Sequence, residues 1–242
     1  MVLLFASCEV STNYTNPELQ DLLSERYNKE FRIERNQFNA ELNEFQFIAV
    51  PVNNEDVKVH GSYKDNSSVV SDNYMQMEHS YQAEEVMKEQ LGKFYNRYAV
   101  KANAAIDQYT SSSFLELISN AQRDIIVYYY IYLFDDIDGK EQASLEGIKA
   151  AADYFNNQYK GTYTFMVYFW KPEFLKDKDL KQMKFGFNYN SDAYADNLPE
   201  KRKYIDQELI FEFDTSEKPE ITTERLSELI APYKKGKQYN RL

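Results

Sequence analysis

The sequence predicts an α+β fold made of two small α/β layers, in which helices pack on mixed sheets. Apolar side chains recur at helical spacing in several segments, the longest of which runs from Ser80 to Tyr109. Residues 125–134 and 162–170 are apolar on both faces, as central strands are, and a helical pattern lies between them. Strand, helix and strand in this order predict one right-handed β-α-β crossover with parallel neighbours in the C-terminal half.

The N-terminal half is predicted to open with a helix and to continue with strands. Asn16 supplies an N-cap acceptor and Pro17 a first-turn residue, and leucines then mark one apolar face to about residue 29. Three strands follow, and then a loop over residues 65–72 and the long helix. The strands are predicted at residues 31–35, 44–52 and 56–64. The apolar stripe of the long helix consists of Met87, Leu91, Phe94, Tyr98, Ala102, Ala105 and Tyr109.

The C-terminal half contains further helix and strand signals. Ser113 and Glu116 fit a capping box at the start of a short helix, and Gly161 ends the helix that begins near Gln142. Alternating patterns predict strands at residues 183–189 and 205–213, and a last helix stops near Pro232. We therefore predict two α+β domains, at residues 17–110 and 111–242.

The composition excludes several classes of protein. The 242 residues are 43% hydrophobic, which suffices for a packed core and excludes global disorder. With 39 acidic and 28 basic residues the net charge is −11, so nucleic acid is a poor partner. One cysteine and two histidines leave little scope for disulfide, zinc or triad chemistry. We expect no cofactor and no metal.

The N-terminus carries the most informative local pattern. Residues 1–7 are apolar and then small, Cys8 follows, and the chain turns polar immediately afterwards. This pattern resembles the lipobox of bacterial lipoproteins, with Phe5-Ala6-Ser7 as the tripeptide before the modified cysteine. The resemblance implies that the chain is cut before Cys8, that Cys8 carries lipid, and that the protein is anchored to a membrane of the cell envelope. Residues 9–16 would then form a flexible tether.

This N-terminal pattern departs from the family in two respects. The apolar stretch is shorter than usual and no Lys or Arg precedes it, so residues 1–8 are interpreted as a truncated signal peptide whose true start lies upstream. The alternative is a free N-terminus with an inert, buried Cys8. Further along, the helix-to-strand order of residues 17–64 resembles small envelope modules such as PepSY-like domains, on element order alone.

Three clusters of residues could carry metal or acid chemistry, but each has a simpler interpretation. Asp136, Asp138 and Gly139 fit part of a calcium loop whose first and last ligand positions fail, so a strand-ending turn is favoured. His60 and His79 lack the spacing of a zinc motif and are interpreted as surface or hydrogen-bonded histidines.

The third cluster comprises Asp206, Glu208 and Glu212, whose spacing along one strand suits a glycosidase pair. Carboxylates on the wet face of an edge strand also simply discourage edge pairing, and this is the favoured interpretation.

Tyrosine-rich strands give the candidate binding residues. Tyr side chains combine a flat apolar face with a polar tip, which suits sugar stacking and protein interfaces. Most of these rings should nevertheless lie in the core, because both strands look central. The candidate binding residues are Tyr128, Tyr130, Tyr132 and Trp170.

The sequence therefore favours a lipid-anchored envelope protein that binds a protein or ligand without catalysis, for example an inhibitor or immunity protein. The rival hypothesis is a hydrolase of glycan or peptidoglycan that uses Asp/Glu pairs. A third is a structural partner in an envelope assembly, which should expose an apolar patch.

Overall fold

The computed structural model describes residues 13–65, 67–106, 112–120, 125–135, 142–171, 204–232 and 240–242. By its internal contacts the chain divides into two compact units between Glu78 and His79. Each unit has its own sheet, and the predicted α+β class is confirmed. The division differs from the boundary near residue 110 that the sequence suggested, because the segment before that residue is not one long helix.

The first unit consists of helix α1 and an antiparallel sheet with strand order β1-β2-β3-β4. The elements are α1 (Asn16–Tyr27), β1 (Phe31–Asn39), β2 (Glu44–Pro51), β3 (Val59–Tyr63) and β4 (Val70–Asp72). The N-cap of α1 is Thr15, one residue before the predicted Asn16, since Thr15 and Glu18 form a capping box. Strand β4 occupies part of the predicted loop over residues 65–72.

Helix α1 covers one face of this sheet. Leu19 and Leu23 of this helix are fully buried. The rings of Tyr14 and Tyr27, at the two ends of the helix, contact Tyr63 and Phe31 of the sheet. The opposite face has no helix from its own unit among the described residues.

The second unit has a six-stranded mixed sheet with the order β10-β8-β7-β6-β5, with β9 also paired to β8. Its helices are α2 (Tyr74–Leu91, which begins in the first unit), α3 (Phe114–Ser119), α4 (Gln142–Gln158) and α5 (Thr223–Glu228). Its strands are β5 (Tyr98–Ile106), β6 (Ile125–Leu133), β7 (Thr162–Trp170), β8 (Ile205–Asp214), β9 (Ala231–Pro232) and β10 (Asn240–Arg241).

Strands β6 and β7 are parallel and are connected through α4, which confirms the predicted β-α-β unit. Apolar residues of α2, α3, α4 and α5 pack with one face of the sheet in the main core, and Phe155 of α4 is central to it. Its ring contacts those of Tyr129, Tyr163 and Phe165. The capping box of α3 is also confirmed.

The predicted long helix over residues 80–109 is wrong. The helix starts earlier, at Tyr74, and ends at Leu91. Residues 98–106 form β5, in which Val100, Ala102, Ala104 and Ile106 are buried at every second position. The alanine-rich segment fits both a helical and a strand period. Pairing with β6 decides in favour of the strand, because neighbouring strands override a weak local preference.

Two further predictions from the C-terminal part differ from the structure or lie outside it. Helix α5 is shorter than predicted, and the short strand β9 replaces its end. The strand predicted at residues 183–189 lies outside the described residues.

Candidate functional site

The face of the first sheet that α1 does not cover is the candidate site, and we call it the open face. The register of the strands arranges its side chains in rows. In one row Arg35, Ile48 and His60 are direct cross-strand neighbours. The next row is made only of uncharged polar residues, which are Gln37, Gln46, Ser62 and Ser71. The open face and the β1–β2 turn enclose a cavity of about 790 Å³.

The polar side chains of the open face partly hold one another in place. The guanidinium of Arg35 donates to Oε1 of Gln37 from Nε at 2.9 Å and from Nη2 at 2.6 Å. Gln46 Nε2 donates to the Glu44 carboxylate at 3.2 Å, while its Oε1 accepts from Asn39 at 3.3 Å. Within the described part of the chain Arg35 forms no ion pair. The face thus presents the positive charge of Arg35 and the negative charge of Glu44, with oriented amide groups between them.

His60 adds a titratable group to the open face. Partial burial, together with the positive charge of Lys58, lowers the pKa of its imidazole. His60 is therefore neutral at neutral pH and offers one nitrogen donor and one nitrogen acceptor. A row of neutral donors and acceptors can recognise polar groups of a ligand without a large desolvation cost.

The side of the sheet behind the open face is closely packed. Phe47 is 1% exposed, and its ring lies against the backbone at Gly61. There is no room for a side chain at Gly61. Asp72 accepts the Tyr27 hydroxyl at 2.6 Å, pairs with Arg26, and accepts the backbone N–H of Tyr74. Burial and the Asp72 carboxylate raise the pKa of Tyr27 to about 12. Asp72 therefore ties α1 to the sheet.

The four candidate binding residues of the second sheet lie on the face opposite its main core. Tyr132 and Trp170 are buried there at 1% and 4% exposure, and their rings are 6.3 Å apart. Tyr128 and Tyr130 pack against the same cluster and are half-buried. A role in binding stays a prediction for these four residues, but Tyr132 and Trp170 offer a ligand almost no surface.

The carboxylates of β8 are distributed differently from the prediction. Strand β8 lies between β7 on one side and β9 and β10 on the other, so it is not an edge strand. Glu208 is buried, Glu212 accepts from the Thr164 hydroxyl at 3.1 Å, and Asp206 is exposed with Lys171 Nζ at 3.8 Å. The face of β8 that was predicted to be exposed to solvent is therefore largely covered.

The remaining predicted candidates are dispersed. Among the described residues no three His, Cys, Asp or Glu side chains form a group suited to a metal. Buried His79 is 2.9 Å, through Nε2, from the carbonyl oxygen of Ser112. Asp136, Asp138, Gly139 and Cys8 lie outside the described residues.

Sequence reasoning missed the open face. Its signal is present in β2, where polar Glu44 and Gln46 alternate with apolar Phe45 and Phe47. In β1 the alternation is interrupted, since Arg35, Asn36 and Gln37 are all polar, and the rows exist only once the register is known.

No protein family matches the sequence, and no curated protein resembles it significantly. A crystal structure of a DUF5037 family protein from Ruminococcus gnavus aligns with 65% of this chain and 76% of its own, at 14% identity and a TM-score of 0.46. In the described parts of the structure no helix combines the length and apolar character needed to cross a membrane.

Proposed function

We propose that the chain is a lipid-anchored protein of the bacterial envelope whose folded part binds a protein or other ligand without catalysis. The anchor is Cys8, and the binding surface is the open face of the first sheet. The observation that carries the binding role is the in-register row of Gln37, Gln46, Ser62 and Ser71 on a face left open to solvent. One specific form of this proposal is an inhibitor or immunity protein.

The polar rows support recognition because the sheet already holds them in place. A preorganised surface loses little conformational entropy when it binds. The side chain of Arg35 is aligned by Gln37, and its remaining N–H groups stay available to a ligand. A surface that combines the Arg35 guanidinium, the Glu44 carboxylate and neutral amides and hydroxyls suits a polar partner that carries both anionic groups and hydrogen-bond donors.

The surroundings of Glu84, a buried carboxylate of α2, support binding more than catalysis. Burial raises the pKa of Glu84, but its carboxylate accepts Lys101 Nζ at 2.9 Å and the backbone N–H of Ala102 at 3.2 Å. Those contacts tie α2 to β5 and engage the Glu84 carboxylate with a lysine and a backbone N–H, and not with a second described carboxylate that could share an acid–base task. The alternative function remains a glycan or peptidoglycan hydrolase, with Asp206 as its exposed candidate acid.

The lipid anchor is tested by metabolic labelling. Cells that express the native gene with radiolabelled palmitate should incorporate label into the wild-type protein and not into a Cys8→Ala variant. Mass spectrometry of the native protein that showed an unmodified thiol, still joined to its upstream residues, would refute the envelope assignment.

The binding face is tested by photo-crosslinking. A benzoylphenylalanine at position 46, on the open face, should capture a discrete partner from an envelope fraction. The same probe at exposed Glu89 of α2 serves as the matched control. Equal capture at both positions would count against the open face. Release of soluble fragments from purified cell wall, abolished by Asp206→Asn, would favour the hydrolase instead.

A further inference from the structure

One end of the first unit concentrates its exposed apolar side chains. Among the described residues of that unit, four large apolar side chains are exposed, namely Phe38, Leu42, Val52 and Val69. The cross-strand row of Phe38, Phe45, Tyr63 and Val70 places Phe38 and Val69 at the same end of the sheet. Leu42 lies in the β1–β2 turn that closes this end. Val52 follows Pro51 at the opposite end.

The chain enters the fold at this same end. The carbonyl oxygen of Tyr14 accepts Asn36 Nδ2 at 3.0 Å and the Tyr63 hydroxyl at 3.3 Å. The Tyr14 ring also stands edge-on to the Tyr63 ring, with centroids 5.1 Å apart. Tyr14 is therefore fixed to the sheet within a few residues of Phe38.

The distance from Cys8 to this fixed point is short. Six residue steps separate Cys8 from Tyr14, and a fully extended chain spans at most about 20 Å over six steps. From Asn36, strand β1 advances a further 10 Å or so toward its turn. A lipid on Cys8 thus keeps this end of the first unit within about 30 Å of the bilayer surface.

We propose that this end, made of Phe38, Leu42 and Val69, rests on the membrane and inserts these side chains into the interfacial layer. The inference rests on the proposed lipid anchor at Cys8. The three side chains are 50%, 58% and 69% exposed, so burial in lipid removes apolar surface from water. Because the anchor already holds the chain in place, even a weak contact of this kind sets its orientation.

The contact is apolar rather than electrostatic. Exposed Lys64 lies in the β3–β4 loop, but acidic Glu41 and Asp65 lie at the same end. These nearby charges sum to a negative value and give no attraction to anionic headgroups, so raising the salt concentration should not weaken the contact.

The test uses the protein's single cysteine. Full-length chain is coupled through Cys8 to a maleimide phospholipid in vesicles of phosphatidylethanolamine and phosphatidylglycerol, and amide hydrogen exchange is measured. Exchange in residues 38–44 and 67–70 should slow roughly tenfold relative to the uncoupled chain, with no change around Val52. Equal exchange rates in the two samples, or protection around Val52, would overturn the inference.

Substitutions distinguish lipid contact from other causes of slowed amide exchange. Leu42→Ser with Val69→Ser, both at exposed positions, should restore fast exchange on vesicles, whereas Val52→Ser should not. Matching thermal midpoints would show that each variant folds. Protection that grows with protein concentration in the absence of vesicles would instead identify a second copy as the occupant and refute the lipid contact. Since the coupling is chemical, palmitate labelling tests the proposed anchor separately.

Discussion

The ring of Phe47 on β2 lies directly against the backbone of Gly61 on β3. A Cβ atom placed at Gly61 would stand 2.1 Å from Cζ of Phe47 and 2.6 Å from the carbonyl oxygen of Ser71. The two residues are cross-strand partners, and the glycine leaves space that the aromatic ring fills. The open face thus depends on a close contact made on the other side of the same sheet.

Gly61→Ala should destabilise the first unit by about 2–3 kcal/mol, because the new methyl group overpacks a site bounded by backbone. Chemical denaturation measures the loss. Phe47→Leu in the same chain should make the Gly61→Ala substitution less costly, since the smaller side chain vacates part of the space. If the two costs simply add in the double variant, the contact between ring and glycine is not their cause.

Tyr129→Phe should leave stability unchanged or raise it by about 1 kcal/mol. The hydroxyl of Tyr129 is fully buried, and no described residue forms a hydrogen bond with it. Burial also raises the pKa of this phenol well above its ordinary value. Removing the hydroxyl therefore removes a buried polar group and no hydrogen bond.

The matched control for that substitution is Tyr95→Phe. The hydroxyl of Tyr95 is buried and donates to the carbonyl oxygen of Ser144 at 2.7 Å. Its loss should destabilise the second unit by about 1 kcal/mol, the opposite sign to Tyr129→Phe. Equal thermal shifts in the two variants would contradict this interpretation.

Glu84 should make stability depend on pH in the weakly acidic range. Burial raises the pKa of its carboxyl above the ordinary value of 4.5, against the opposing effects of Lys101 and the Ala102 N–H. Between the unfolded and folded pKa values the folded chain binds more protons than the unfolded chain. The stability contributed by Glu84 is therefore highest below pH 4.5 and falls as pH rises through the folded pKa.

The free energy of unfolding, measured as a function of pH for wild type and Glu84→Gln, isolates this contribution as a difference. That difference should change as the pH rises from 4.5 through the raised pKa of the folded chain. A Glu84→Gln curve parallel to wild type would show that the buried carboxyl does not titrate as described.

Ser113→Ala should destabilise α3 by about 1 kcal/mol. The Ser113 hydroxyl accepts the Glu116 N–H at 3.3 Å, and the Glu116 carboxylate accepts the Ser113 N–H at 2.9 Å. Ser119→Ala is the control, because its exposed hydroxyl donates to the carbonyl oxygen of Leu115, which the helix end can leave to water. Similar losses in both variants, measured by thermal unfolding, would contradict a specific role for the cap.

The sequence was sufficient to predict a helix or strand wherever the residues of that element alone carry a cap or a strongly apolar run. The capping box at Ser113, the strands that begin near Ile125 and Thr162, and the helix between them were all predictable, because caps and strongly apolar runs act over a few residues. The parallel pairing of these two strands also followed, since the connecting helix permits little else.

The sequence was not sufficient where the structure of a segment depends on a strand that is distant along the chain. The alanine-rich segment of β5 fits a helix equally well, and its pairing with β6 is what makes it a strand. The tyrosines of β6 look alike in sequence, yet Tyr129 and Tyr132 are buried while Tyr128 and Tyr130 are only half-buried.

The sequence by itself determined the α+β class, the net charge, the β-α-β unit and the prediction that Cys8 is an anchor. Tertiary structure decided which polar residues share the open face and which apolar residues collect beside Tyr14. The physical reason is that a strand's neighbours and register are set by long-range packing. Gln37, Gln46, Ser62 and Ser71 are far apart in sequence and meet only when the strands pair.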